Sequence, residues 1–152
     1  MQQQKEKIMS QPEAEELAVA MAAECLAVRV RILSRVLTAC YDREMRPLKL
    51  KASQGAILVC VARAGEIDQT GIGRRLKLEK STVSRAVDRM KANGWLEECG
   101  PESRCFRLSE SGRELLGRFH QGWLRAQAKA RELLGDDGAR DLKKLTAPIF
   151  HR

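Results

Sequence analysis

The chain has 152 residues, 32% of them charged, and its 28 Lys/Arg against 20 Asp/Glu give a formal net charge of +8 with a pI near 9.6. These values fit one small basic domain, spanning residues 1–152, whose natural partner is nucleic acid. No apolar run approaches the roughly eighteen residues of a membrane span, and the polar start Met1–Lys7 leads into no apolar signal core, so a cytoplasmic protein without a membrane partner is expected.

From Glu13 to about Arg43 the sequence predicts one long helix, in which Leu17, Met21, Leu26, Val30, Leu33, Leu37 and Tyr41 follow a three-to-four spacing. Pro12 suits its first turn, and Glu13, Glu15 and Glu16 suit the positive end of the helix dipole. Pro47 marks the break that follows. Residues 53–62 read as a buried helix capped by Ser53, and Gln69–Leu76 as a short helix with Ile72 and Leu76 on its apolar side.

The stretch Glu79–Lys91 carries the most information. Val83, Val87 and Met90, with small Ala86 beside them, recur at the spacing of a buried helix face and leave Lys80, Ser81, Ser84, Arg85 and Arg89 pointing outward. Arginine forks bond two acceptors of guanine at once, and Ser or Thr hydroxyls serve phosphate or base, so this face can both anchor and discriminate. A solvated amphipathic helix is the plainer alternative. Two helices joined by a tight turn make a helix-turn-helix, with Gly73 the small residue where they cross. Next, Trp95–Cys99 and Arg104–Leu108 read as two strands around Gly100-Pro101, a β-hairpin wing. A helix beginning at Ser109 or Ser111 runs to about Leu134, and a shorter one runs from Asp136 or Asp137 to about Thr146, separated by Gly135 and ended by Pro148.

Basic charge is concentrated where these elements lie. Residues 46–107 hold thirteen Lys/Arg against seven Asp/Glu, whereas residues 1–45 hold six against seven. An excess of cations there would release counterions from phosphates and make binding fall with salt.

The helix-turn-helix, the run Lys80–Met90, Asn93-Gly94-Trp95-Leu96, the wing and then Leu108-Ser109-Glu110-Ser111-Gly112-Arg113 together resemble the MarR family, over roughly residues 13–147 by element order. The resemblance implies a mainly α (α+β) fold with a winged helix-turn-helix lobe at 47–108. A long N-terminal helix at 13–46 and C-terminal helices at 109–150 would form the dimerisation region. It implies a bacterial homodimeric transcription regulator, a repressor by default, on a pseudo-palindromic operator in double-stranded DNA. Leu17, Val28, Leu124, Leu133, Leu142, Leu145, Ile149 and Phe150 are the candidates for an intermolecular core. The DNA-binding set expected is Lys77, Lys80, Ser81, Thr82, Ser84, Arg85, Arg89 and Arg104.

Two positions depart from the family pattern. Lys77 stands where the turn usually has Gly; a left-handed Lys there would cost about 1 kcal/mol, so another turn geometry or a compensating phosphate contact is expected. In the short wing, Glu102-Ser103-Arg104 takes the place of an Asp-x-Arg motif, with Arg104 reaching toward the minor groove or phosphates and Glu102 orienting it. Arg107 reads as a strand-surface cation. Tyr41, Phe119 and Trp123 could line the cavity in which members of this family often bind small aromatic acids, or be plain core.

Five cysteines without a Cys-x-x-Cys pair fit neither a disulfide framework nor a zinc module. Cys25, Cys40 and Cys60 lie on apolar helical stretches as inert thiols. Cys99 and Cys105 bracket the wing turn on the face opposite Phe106 and Leu108, and are either a redox-sensing pair, opposed at a non-hydrogen-bonded position, or two surface-strand residues. His120 and His151 are too far apart to suggest a metal. No phosphate-binding Gly loop, His-Glu-x-x-His or Gly-x-Ser-x-Gly is present, so neither catalysis nor a cofactor is expected. The alternative functions are a winged-helix module for protein contact and a thiol-based regulator.

Overall fold

The computed structural model describes residues 9–100 and 103–150, and its first helix, α1 (Gln11–Glu24), opens around Pro12 as expected. The N–H and Oγ of Ser10 both donate to the Glu13 carboxylate, at 2.8 and 2.7 Å, closing the helix start. The single long N-terminal helix of the sequence reading is corrected: it breaks at Cys25 (φ −69°, ψ 104°), and α2 (Leu26–Met45) begins after it. Near residue 36 the chain divides into two compact units. Within the first, α1 buries no residue, and Val19 (71% exposed) and Leu26 (76%) show how much apolar surface is left uncovered.

The second unit carries the core. A turn of 3-10 helix at Arg46–Leu48 leads to α3 (Ala52–Ala64), whose Ile57, Leu58 and Val61 are fully or nearly fully buried. Ser53 is not its cap. The helix starts earlier because the Ala52 N–H donates to Asp42 Oδ1 at 2.7 Å and the Lys51 N–H to Gln54 Oε1 at 2.9 Å, so side chains from two sides satisfy the first donors. After β1 (Ile67–Asp68) come α4 (Gln69–Leu76) and α5 (Lys80–Ala92), then the wing strands β2 (Leu96–Glu98) and β3 (Cys105–Leu108). The sheet order is β1-β3-β2, antiparallel throughout, with Ile67 opposite Phe106 and Leu96 opposite Leu108. Ile67, Leu96, Phe106 and Leu108 turn one face of this sheet onto the core formed with Met45, Ile72, Val83 and Met90.

The segment Ser109–Gly112 fixes the start of α6 (Glu110–Phe150). Ser109 Oγ accepts the Gly112 N–H at 3.0 Å, while the Ser109 and Ser111 hydroxyls donate to the Gly94 carbonyl at 2.5 and 2.6 Å. A side chain at Gly112 would meet Trp95 O at 2.1 Å, so only glycine lets the helix come this close to the wing's entry. Gly135 (φ 68°, ψ 165°) interrupts α6 where expected. The helix does not stop before Pro148 but runs on to Phe150; so near the end, proline removes a single donor. Glu44 ties α2 to α6 by accepting from Arg125 at 2.9 Å and Lys129 at 2.5 Å. Among the described residues no helix is long and apolar enough to cross a membrane.

Candidate nucleic-acid interface

Asp68 begins the helix-turn-helix by accepting the Gly71 N–H at 2.7 Å, and α4 then runs for eight residues. Lys77 ends it in the left-handed conformation (φ 54°, ψ 43°), so the alternative turn geometry is not used. The Leu78 N–H donates to the Gly73 carbonyl at 2.9 Å, and a Cβ on Gly73 would stand 3.0 Å from Leu78 O and 3.6 Å from Val83 Cγ2. A small residue at this crossing is therefore a steric requirement. The Glu79 carbonyl accepts from Thr82 and Val83, both at 3.0 Å, to start α5.

Val83, Val87 and Met90 are wholly buried, and that stripe fixes what the opposite side presents. Lys77, Lys80, Ser81, Thr82, Arg85 and Arg89 are exposed, and Ser84 is half-buried at the edge of the stripe. Arg85 Nε–H donates to the Ser81 carbonyl at 3.1 Å, which lays the stem along the helix and leaves the two terminal amino groups outward. Among the described residues, Arg74, Arg75, Lys77, Lys80, Arg85, Arg89 and Arg104 form no ion pair. Lys51, Lys91 and Arg107 of the same lobe are paired instead. Lys91 pairs with Glu98 and lies over the Phe106 ring, and Arg107 pairs with Glu97 at 2.7 Å and Glu66 at 3.7 Å. Arg107 is thus the strand-surface cation expected.

Arg104 is exposed just ahead of β3, beside Ser103, whose Oγ accepts the Cys105 N–H at 3.1 Å. Its expected partner Glu102 lies outside the described residues. The Cys99 N–H donates to the Cys105 carbonyl at 3.1 Å, so these residues face each other across a hydrogen-bonded position and not the non-hydrogen-bonded one expected. That arrangement holds the Cα atoms about 5.5 Å apart in place of about 4.5 Å. Both thiols are free. Burial pushes the Cys99 thiol up from its ordinary range and the Glu66 carboxylate adds to this, so the reactive thiolate is disfavoured.

A cavity of about 640 Å³ opens between α3, α4 and α6. Tyr41, Phe119 and Trp123 line it as the aromatic reading expected, with Leu76 completing an apolar wall. Its two cations, Arg63 of α3 and Arg75 of α4, escaped the sequence reading: single arginines on amphipathic helices look like ordinary surface charge. The Tyr41 hydroxyl donates to Gln127 Oε1, which fixes the ring at the rim. β1 was likewise unforeseen, since two residues cannot display an alternating pattern.

Residues 48–104 match the model of the MarR family. An uncharacterized HTH-type transcriptional regulator, YwoH, of Bacillus subtilis (strain 168) is 26% identical over 95 residues, covering 62% of this chain and 69% of that protein. Three solved structures share the fold. The repressor CouR bound to p-coumaroyl-CoA has a TM-score of 0.76 at 20% identity, over 85% of this chain and 94% of that one. A mutant MarR from E. coli complexed with operator DNA has 0.74 at 18%, over 85% and 96%. The M. tuberculosis regulator MosR has 0.70 at 24%, over 85% and 98%. At these identities the structures establish the fold, and the sequence match falls on the helix-turn-helix and wing described above. Through that winged lobe, over residues 48–104, the chain is similar to the MarR family.

Proposed function

We propose that this protein is a sequence-specific DNA-binding transcription regulator, a cytoplasmic repressor that acts as a homodimer without a catalytic step. One observation carries the reading: Arg74, Arg75, Lys77, Lys80, Arg85 and Arg89 of α4, the turn and α5 are exposed and form no ion pair among the described residues. Unneutralised cations around a buried-face helix suit a phosphate-lined groove, and the operator complex of E. coli MarR supports the same assignment. In this reading Arg85, Ser81, Thr82 and Ser84 face base edges, Lys77, Lys80 and Arg89 hold phosphates, and Arg104 contacts the flanking backbone.

Dimerisation follows from apolar surface left uncovered in both units. Leu17, Val28, Leu124, Leu133, Leu145 and Ile149 are between 44% and 74% exposed, and Leu142 is half-buried. Covering them with a second copy removes that surface from water at about 25 cal/mol per Å². Helices 13–46 and 109–150 would then form the dimer around two lobes at 47–108. A twofold pair of recognition helices requires half-sites roughly 10 bp apart.

The cavity supplies control. Aromatic and aliphatic walls with Arg63 and Arg75 suit a small aromatic carboxylate, and CouR's ligand is a coumaroyl thioester. Because Arg75 belongs to α4, an anion held there acts directly on the helix that braces α5. Such a ligand relieves repression only by favouring one arrangement of the lobes over another.

The test is a fluorescence-anisotropy titration against the promoter fragment beside the protein's own gene and a scrambled duplex, at two salt concentrations. Preference for the promoter that persists at the higher salt is expected. Equal binding to both duplexes, erased by salt and unchanged by Arg85→Ala, would replace this reading with a protein-contact module.

A further inference from the structure

The middle of the outward face of α5 carries a carboxylate to which the reading above gives no role. Ser81, Arg85, Asp88 and Ala92 succeed one another at intervals of four, three and four residues, the repeat of a single helix stripe, on the side away from Val83, Val87 and Met90. Asp88 is exposed and forms no ion pair among the described residues, although Arg85 stands three residues before it and Lys91 three after. Neither pairs with it: the Nε–H bond to the Ser81 carbonyl turns the Arg85 stem back along the helix, and Lys91 is held by Glu98. Asp88 is therefore an unpaired acidic side chain on a face otherwise set out to meet a polyanion.

Against phosphate that charge is repulsive, so it suits only a position where the groove offers a hydrogen-bond donor. In the major groove cytosine presents its N4 amino group. Adenine couples its amino donor to the N7 acceptor, while guanine and thymine present acceptors at the same edge. A carboxylate there accepts from cytosine and repels guanine and thymine. Resting on the DNA-binding reading, we infer that Asp88 is a specificity-determining residue that requires cytosine in each half-site, beside the guanine bound by Arg85. The helix rises about 1.5 Å per residue, so the two side chains leave the axis about 4.5 Å apart, close to the roughly 3.4 Å between base pairs. The guanine and cytosine belong to the same or to neighbouring base pairs.

The experiment is selection from a randomised duplex library by the full chain, in wild-type, Asp88→Ala and Asp88→Asn forms, followed by titration of the selected site and its single-base variants. Residue 88 is solvent-facing, and thermal melts verify that the variants fold. The wild type should fix cytosine at one position, with other bases bound roughly five- to hundred-fold more weakly. Asp88→Ala should keep the rest of the consensus, lose the preference at that position and bind scrambled DNA at least as tightly. Asp88→Asn should turn the preference toward adenine, whose N6 and N7 match a carboxamide. A consensus unchanged at every position in Asp88→Ala would overturn the assignment and leave DNA binding intact. A wild-type selection that enriches no motif would overturn sequence-specific binding itself, and this inference with it.

Discussion

Replacing Lys77 with glycine should make the protein more stable and a poorer DNA binder at the same time. The backbone at Lys77 sits at φ 54° and ψ 43°, held there by hydrogen bonds from the Lys77 and Leu78 N–H groups to the Gly73 carbonyl. For a residue with a Cβ this region costs about 1–2 kcal/mol. Glycine removes that cost but adds about 0.5–1 kcal/mol of unfolded-state entropy. The lysine side chain is exposed and unpaired among the described residues, so little packing is lost. A net gain of about 0.5–1 kcal/mol remains, which for a chain of 152 residues raises Tm by roughly 2–3 °C. Lys77→Ala keeps the strained backbone without the charge and isolates the two effects. Differential scanning calorimetry should rank glycine above wild type and alanine no higher than wild type. In salt titrations of DNA binding, both variants should lose about one unit of the log–log slope per lobe, the signature of one phosphate contact. A glycine variant no more stable than the alanine variant would refute the argument from backbone strain, and unchanged slopes would refute the phosphate contact.

Three further outcomes follow from the geometry. Gly112→Ala places a methyl group 2.1 Å from Trp95 O, a backbone atom that cannot swing away; urea denaturation should show a loss of about 2–3 kcal/mol, and a change below about 0.5 kcal/mol would contradict the contact. Hydrogen bonds from Lys129 and Arg125 hold the Glu44 carboxyl below its usual range, so its stabilisation is present at neutral pH and lost as pH falls through the folded-state value. Wild type should accordingly lose more Tm than Glu44→Gln between pH 7 and pH 3, and parallel curves would show that the pair contributes nothing. Removing the neighbouring charge with Glu66→Gln should speed alkylation of Cys99 by iodoacetamide near neutral pH, read by peptide mass spectrometry. Equal rates would leave burial as the sole cause.

What could be read from residues alone followed local rules. The apolar stripe of α5 fixes its outward face whatever surrounds it, Gly135 announces its break by its conformational freedom, and Gln69–Leu76 carries its own apolar pair, Ile72 and Leu76. The misses share a different origin. Helix formers continue on both sides of Cys25, and a rotation in ψ at that residue leaves no mark in side-chain type. The start of α3 is set by Asp42, ten residues away, so Ser53 gave a misleading local cue. β1 exists because β3 offers it an edge, and Arg63 and Arg75 become a pair only when α3 and α4 pack together. Tertiary neighbours, not propensity, decide each of these. The partnering of cations was also invisible in sequence: Arg107 could be placed on the strand surface, but its partners Glu97 and Glu66 come beside it only when the strands pair.

The short strand β1 has a mechanical consequence. It bonds to β3, the inner strand of the wing, and its last residue, Asp68, is also the cap of α4. The wing is thereby clamped to the brace of the recognition helix by a few covalent and hydrogen bonds, with no hinge between them. A pull on the wing tip is transmitted as torque to the whole lobe in place of a local bend. On the DNA-binding reading, turning that lobe moves β3 and α4 together, so contacts made by the wing and by the helix-turn-helix are gained or lost as a unit.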